Sequence, residues 1–354
     1  MLRMDDVERL RDRISEIDGG ILRLVAERLE VARAIGKQKR AAGVPLRDYD
    51  MERRVLDRAA DTAAGLDLPS DTARLLMQSL ITASRAEQER VSYATYSGEA
   101  GHIAIVGGRG KMGRWLADFL QNQGHRVTVI DRGDGAPWET DAPIVLLATP
   151  PEAVPDLVDG FASARFSGVV CDISSLKGHL ADPIRRAVAS GLAVTSIHPM
   201  FGPSTRTLSD KVVCVCDCGR PDATAKVVDL FAATAATLVP LSFEGHDRVI
   251  AHVLGMSHLI NLLFAKVLAA GSERFGDLNR VGSTTFHAQV DTARTVLGED
   301  PDLYFAIQRL NQFTPELYET VRREFDELAT WVTTGDRDRF AEMMEVSRRW
   351  LMGS

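Results

Sequence analysis

His102-Ile103-Ala104-Ile105-Val106-Gly107-Gly108-Arg109-Gly110-Lys111-Met112-Gly113 decides the fold of this chain. Five consecutive apolar or half-apolar residues read as a buried strand. The glycines that follow read as a tight turn into a helix N-terminus, where backbone N–H groups can face an anionic ligand. The context supports a dinucleotide-binding unit. A helical pattern runs from Met112 to Gln123, and a second strand, Arg126–Ile130, ends in Asp131. Gly108, Gly110, Lys111, Met112 and Gly113 are the expected pyrophosphate-binding residues. Asp131 is positioned to accept from the adenosine ribose hydroxyls and to repel a 2′-phosphate, which favours NAD, although Arg132 stands beside it.

The glycine run lies about a hundred residues into a chain of 354, so another folded unit precedes it. The length fits two or three domains. The net charge of -7 argues against nucleic acid as a partner. The first 95 residues hold 17 basic and 17 acidic side chains, and the remainder carries the acidic excess. Three of four cysteines form Cys214-Val215-Cys216-Asp217-Cys218. Alternation puts them on one face of a strand, as small apolar core residues or as part of a soft-metal site; no second pair has matching spacing, and no metal is expected. No apolar run is long enough to cross a membrane and no signal peptide opens the chain, so a cytoplasmic protein with no membrane partner is expected.

In the leader, Val7, Leu10, Ile14, Ile17, Ile21, Leu24, Val31 and Ile35 recur at alternating spacings of three and four, one stripe of a long helix. The rhythm calls for an apolar residue at 28, where Arg28 stands, and Lys39 follows one turn after Ile35. A second helix is expected from Asp48 to about Ala64 and a third from Ser70, whose stripe of Leu76, Met77, Leu80 and Ile81 continues into Ser84 and Gln88. A guanidinium in an apolar seam is costly unless an anion meets it. The anion is either an internal partner such as Glu27, Glu30 or Glu52, or a ligand.

Leu10-Arg11, Ala26-Glu27-Arg28, Gly36-Lys37-Gln38-Lys39, Arg47-Asp48 with Glu52, and Ser84 with Gln88 together resemble the all-helical chorismate mutase family over residues 3–92. Where that family often has an arginine before the glutamate, this chain has Met51. The resemblance implies a catalytic set of Arg11, Arg28, Lys39, Asp48, Glu52, Ser84 and Gln88, acting on chorismate without a nucleophile. Arg11 and Arg28 are 17 residues apart, roughly 25 Å along a helix. Both can serve one small substrate only if Arg11 comes from a partner chain, which calls for a homodimer.

Downstream, strands over residues 144–150 and 168–172 continue a parallel sheet, with Thr149 and Pro150 lining the cofactor groove. Ser196-Ile197-His198-Pro199-Met200-Phe201-Gly202-Pro203 and Asp172-Ile173-Ser174-Ser175-Leu176-Lys177 resemble the prephenate dehydrogenase family, as do Gly245-His246-Asp247, His258, Asp300-Pro301-x-Leu303-Tyr304 and Asn311. The resemblance covers residues 102 to about 350. It implies His198 as the base for the substrate hydroxyl and Ser175 as its support. It also implies His246, His258, Asn311 and a carboxylate-binding Arg294, or Arg309, in substrate binding. From Ser204 onward the chain is expected to be mainly helical, a dimerisation and prephenate-binding domain. The stripe Val249, His252, Val253, Met256, Ile260 and Leu263, and the large residues Phe325, Leu328, Trp331, Phe340 and Trp350, are expected to be packed.

The expected architecture is thus multidomain: an all-α three-helix mutase unit (1–92), a linker (93–101), an α/β Rossmann NAD-binding domain (102–203), and an all-α dimerisation and substrate domain (204–354). The halves together resemble the bifunctional chorismate mutase/prephenate dehydrogenases of tyrosine biosynthesis. No separate amino-acid-binding domain is expected, so feedback by L-tyrosine would act at or near the dehydrogenase site. Three alternatives remain: a preference for arogenate, a live dehydrogenase with a dead mutase, and a non-catalytic NAD-binding sensor with a helical dimerisation leader. The sensor predicts seams without Arg28, Ser84 and Gln88.

Overall fold

The computed structural model describes residues 4–41, 49–93, 100–205, 208, 211–232 and 234–353. Its leader is helical: α1 (Met4–Ala41), α2 (Tyr49–Gly65) and α3 (Ser70–Tyr93). The inward face of α1 is formed by partly or fully buried Val25, Arg28, Leu29, Ala32, Gly36 and Lys39. The apolar stripe seen in the sequence overlaps this face, since Val31 and Ile35 line the same cavity as Arg28, but its N-terminal part is uncovered within one chain. Leu10 is 60% exposed, Ile14 58% and Leu24 66%. Periodicity identified the residues that share this face, but not what covers it. Gly36 is buried where α1 crosses α3; a Cβ there would stand 3.2 Å from the Cα of Gln88.

The α/β part alternates strands and helices: β1 (His102–Val106), α4 (Lys111–Asn122), β2 (Arg126–Ile130), β3 (Ile144–Leu147), α5 (Val154–Ser163), β4 (Val169–Asp172), α6 (Ala181–Ala189) and β5 (Ala193–Pro199). Apart from β2, a largely exposed edge strand, these strands are mostly buried, as expected of a parallel sheet covered on both faces. The sheet does not end at residue 203. β6 (Val212–Cys216), α7 (Pro221–Ala232) and β7 (Thr237–Leu241) complete it in the order β2-β1-β3-β4-β5-β6-β7. The β5–β6 pair is antiparallel and the other pairs are parallel. The helical expectation for 204–241 is therefore corrected, because the run containing Cys214 pairs with the strand that carries His198. Cys214 and Cys216 are buried in β6, and Cys218 lies past its end.

The compact units are Met1–Ser175 with Asp182–Leu241, and Leu176–Ala181 with Ser242–Ser354. The second is helical. It contains α8 (Phe243–Ile250), a π-helical turn (Ala251–Met256), α9 (Ser257–Ala270), α10 (Phe275–Val281), α11 (Thr284–Leu297), α12 (Pro301–Leu310), α13 (Thr314–Thr334) and α14 (Arg337–Met352). Two expectations fail here. The stripe Val249, Val253, Met256, Ile260 and Leu263 is 40–48% exposed rather than covered, and Phe325 and Trp350 are 67% and 81% exposed. The continuous run Phe243–Ala270 is also long and apolar enough to cross a membrane by length and composition. Its histidines and Asp247 interrupt the apolar letters, which hid its length in the sequence. That run keeps His246, Asp247 and His258 buried on its inner side, so it is two-faced rather than apolar all round.

Candidate active sites

In the leader, Arg28, Lys39, Glu52, Ser84 and Gln88 line one cavity of about 370 Å3, five of the seven residues singled out there. Arg28 projects from the inward face of α1. Its Nη1 donates to the Leu80 carbonyl at 2.8 Å and to the Ser84 hydroxyl, which itself donates to the same carbonyl. Burial pulls the Arg28 pKa below its ordinary value. Among the described residues Arg28 has no carboxylate partner; Glu27 and Glu30 do not reach it. A desolvated guanidinium held by neutral acceptors at a cavity wall is built to receive an external anion. Aliphatic Val31, Ile35, Val55 and Ile81 complete the wall.

Arg11 lies on the exposed part of α1 and does not line this cavity. Asp48 lies outside the described residues. Met51 lines the cavity edge, where its sulfur accepts from Arg54 at 3.9 Å. Sequence reasoning missed Arg85. It follows Ser84 on α3, lines the same cavity, and pairs with Glu52 of α2 at 3.6 Å.

The second site forms at the ends of β1, β2 and β3. Gly107 has φ +79°, and a Cβ on Gly113 would stand 2.3 Å from the Gly107 carbonyl oxygen, so backbone fills the space a side chain would need. Gly110 caps α4 with no side-chain hydrogen bond, leaving the helix N-terminus with Lys111 and Met112 open to an anion. Asp131 accepts from the backbone N of Arg109 at 3.0 Å and of Arg132 at 3.2 Å. Asp134 takes the Arg109 guanidinium at 2.8 Å, and this contact holds its carboxyl below the usual range. Thr149 Oγ1 is buried without a hydrogen-bond partner, beside Pro150 at the end of β3. The glycine cradle, the open helix terminus and this unpartnered hydroxyl fit a bound dinucleotide.

In the same unit His198 is 4% exposed near the end of β5. Asp172, fully buried at the end of β4, accepts from Ser196 Oγ at 2.8 Å, from the Ser174 backbone N at 2.9 Å and from the Ser174 hydroxyl. This carboxylate fixes the loop that leads to the half-buried Ser175. Its organising role was not read from the sequence, where it stood only as the first residue of the stretch that leads to Ser175.

In the helical unit, Asp247 is the organiser. Its carboxylate accepts from the Lys177 and Gly178 backbone N–H groups at 2.9 and 2.6 Å and meets His246 Nδ1 at 2.8 Å. Asn311 donates to the Asp247 carbonyl at 2.8 Å. His246 and Asn311 are thus tied together through Asp247, with His246 fully buried and Asn311 2% exposed. His258, just beyond the π-helical turn, stacks on Tyr304 with ring centroids 4.1 Å apart. Burial pushes the His258 pKa down to about 4, so the ring is neutral at ordinary pH. A π-turn directly before a buried histidine re-aims the helix there, a recurrent feature of functional sites.

Arg294 stands elsewhere. It pairs with Asp291 at 3.3 Å, lies 5.3 Å over the Phe275 ring, and lines an apolar cavity of about 280 Å3 between α9, α10 and α11. The structure does not place it with His246 or Asn311, and Arg309 is exposed on α12.

The chain matches three family models: chorismate mutase type II over residues 10–89, the prephenate dehydrogenase nucleotide-binding domain over 116–239, and the prephenate dehydrogenase dimerization domain over 242–346. It is 25% identical over 345 residues to a T-protein of Enterobacter agglomerans, spanning 96% of this chain and 92% of that one. It is 23% identical over 353 residues to a T-protein of Haemophilus influenzae, spanning 98% and 93%. The prephenate dehydrogenase of Aquifex aeolicus, solved with hydroxyphenyl propionate and NAD+, shares the fold of the last two domains at TM-score 0.59 and 16% identity, covering 72% of this chain and 99% of that one.

Proposed function

Because this chain belongs to the bifunctional chorismate mutase/prephenate dehydrogenase family, we propose that it performs two consecutive steps of tyrosine biosynthesis through the residues described above. The first is the rearrangement of chorismate to prephenate. The second is the NAD-dependent oxidative decarboxylation of prephenate to 4-hydroxyphenylpyruvate. The observation that carries the reading is the cavity in which Arg28, Lys39, Glu52, Ser84 and Gln88 converge in a chain that also carries a dinucleotide cradle. A sensor with a mere dimerisation leader has no use for a desolvated cation at a cavity wall.

The mutase needs no proton transfer. Its task is to hold a flexible dicarboxylate in a compact shape and to stabilise the charge that develops on the breaking ether oxygen. Arg28, oriented by Ser84 and the Leu80 carbonyl, takes a carboxylate. Lys39 and Gln88 serve the ether oxygen, and Glu52 accepts from the substrate hydroxyl. Arg11 is contributed by a second copy, with Asp48 completing the set. The exposed stripes of α1 and of α8–α9 support a homodimer, since apolar faces of this length are seldom left to water.

For the dehydrogenase, NAD would be held at Gly108, Gly110, Lys111, Met112 and Gly113, with Asp131 on the ribose and Thr149 and Pro150 along the groove. Once bound it supplies the hydride acceptor. His198 takes the proton from the substrate ring hydroxyl, with Ser175 supporting it. His246, His258 and Asn311 bind prephenate; Arg294, expected on the carboxylate, lines a separate cavity within one chain and is left out of this set. Neutral His258 can hydrogen-bond without adding charge. Domain limits near 92, 101 and 241 fit the elements. The free cysteines fit a cytoplasmic location, and L-tyrosine feedback would act at or near the dehydrogenase site.

Feeding chorismate with and without NAD tests the whole reading. Prephenate is expected without NAD, and hydroxyphenylpyruvate with NADH when NAD is present. NADH from prephenate but no loss of chorismate would leave only the second activity, and faster turnover of arogenate would reassign the substrate.

A further inference from the structure

We propose that Arg85 is a positioning residue of the mutase site, which holds the Glu52 carboxylate aimed at the substrate hydroxyl. The inference rests on the mutase reading above and extends it to a side chain outside the set derived from the sequence. Arg85 sits on α3 beside Ser84, and its side chain is only 15% exposed. Glu52 reaches it from α2, 23% exposed, with Nη1 and Oε1 3.6 Å apart. Both side chains line the cavity that Arg28 and Lys39 line from α1.

Charge explains why the pair belongs there. Among the described lining residues there are three cations, Arg28, Lys39 and Arg85, and one carboxylate, Glu52. A dicarboxylate entering the cavity then meets two cations in excess. Without Arg85 the excess falls to one, and the substrate's second carboxylate would share the cavity with a Glu52 that has lost its ion-pair partner on α3. A carboxylate facing a dianion is tolerated only with its own counter-ion close by. The contact also settles a side-chain choice. Glu has three rotatable bonds, and a cation 3.6 Å away on the facing helix favours, by charge attraction, the rotamer that keeps the carboxylate in the cavity. Met51, the residue before Glu52, cannot do this because its thioether carries no charge.

The test uses the full chain, whose dehydrogenase rate on prephenate reports that each variant is folded. Arg85→Ala is expected to lower mutase kcat/KM by about tenfold to a hundredfold, mostly through kcat, with dehydrogenase turnover retained. Arg85→Lys should recover most of that loss. In a Glu52→Gln background, removal of Arg85 should cost less than about threefold, because the group it positions is gone. An Arg28→Ala chain, run in parallel, checks the site itself. If Arg28→Ala abolishes mutase activity while Arg85→Ala does not change it, the proposal fails and the site stands. An Arg85→Ala loss that is equal in the wild-type and Glu52→Gln backgrounds overturns it as well, since Arg85 would then act on the substrate directly. If Arg28→Ala has no effect, the underlying site assignment is what fails.

Discussion

Gly36→Ala sets two small effects of opposite sign against each other, and the structure says which wins. Alanine in a helix interior gains about 1 kcal/mol over glycine from lower unfolded-state entropy. Against this, the added methyl would lie 3.1 Å from Gln88 Cγ, 3.2 Å from its Cβ and 3.2 Å from its Cα. The side-chain atoms could turn away, but the Cα cannot retreat without α3. Overpacking against backbone costs roughly 1–3 kcal/mol. The net change is a loss of about 0–2 kcal/mol, small enough for the chain to fold. The larger effect is functional. Easing three contacts to ordinary distance moves Gln88 by a few tenths of an ångström relative to Arg28 and Lys39. If a misplacement of about 1 Å costs around a hundredfold, this shift should cost about 3- to 10-fold in mutase kcat. The assay is the initial rate of chorismate loss at saturation, beside a urea midpoint and the dehydrogenase rate on the same sample. A variant stabilised by about 1 kcal/mol with unchanged mutase turnover would refute the reasoning, since the crossing would then have room to spare.

Three other outcomes follow from the geometry. Dimers mixed from an Arg11→Ala chain and an Arg28→Ala chain carry one intact and one doubly impaired mutase site. A random mixture should therefore show about a quarter of the wild-type rate, and no recovery in verified heterodimers would rule out the shared site. His198→Asn should lower dehydrogenase kcat by about a hundredfold or more with prephenate affinity little changed; the reverse pattern in steady-state kinetics would make His198 a binding group. His258 has a folded pKa of about 4 against roughly 6.5 when unfolded. On acidification the unfolded chain takes the proton first, so up to roughly 3 kcal/mol of stability is lost as pH falls from about 6.5 to 4. A His258→Gln chain should lose less over that window in urea titrations, and equal acid sensitivity in both chains would clear His258 of this role.

What the sequence disclosed, and what it hid, follows a physical division. Elements were legible because their signals are local. The glycine turn, the strand ending in Asp131 and the three leader helices fall within a residue or two of their expected limits. The mutase cavity was legible because polar residues at 28, 39, 84 and 88 break an apolar rhythm. Arg85 was not, since a charge after Ser84 looks solvated until Glu52 arrives from another helix. Strand β6 looked like an isolated run because its partner, the His198 strand, pairs with it in antiparallel register, a relation no local pattern carries. Asp247 does much of its work through backbone N–H groups, which have no letter in the sequence, and Asp172 gathers serines from two separate stretches.

The uncovered stripe of α1 also bears on how the chain is made. Synthesis delivers this helix tens of residues ahead of the sheet, with Leu10, Ile14, Ile17, Ile21 and Leu24 facing water. Among the described residues, nothing later in the leader covers that face. On the proposed homodimer the stripe waits for a second copy, which makes completion of the first domain a bimolecular event. Its rate would then be set by how many chains emerge near one another, with neighbouring ribosomes on one message as the natural source of the partner. Until they meet, the same leucines and isoleucines that define the pairing face are what a chaperone would hold.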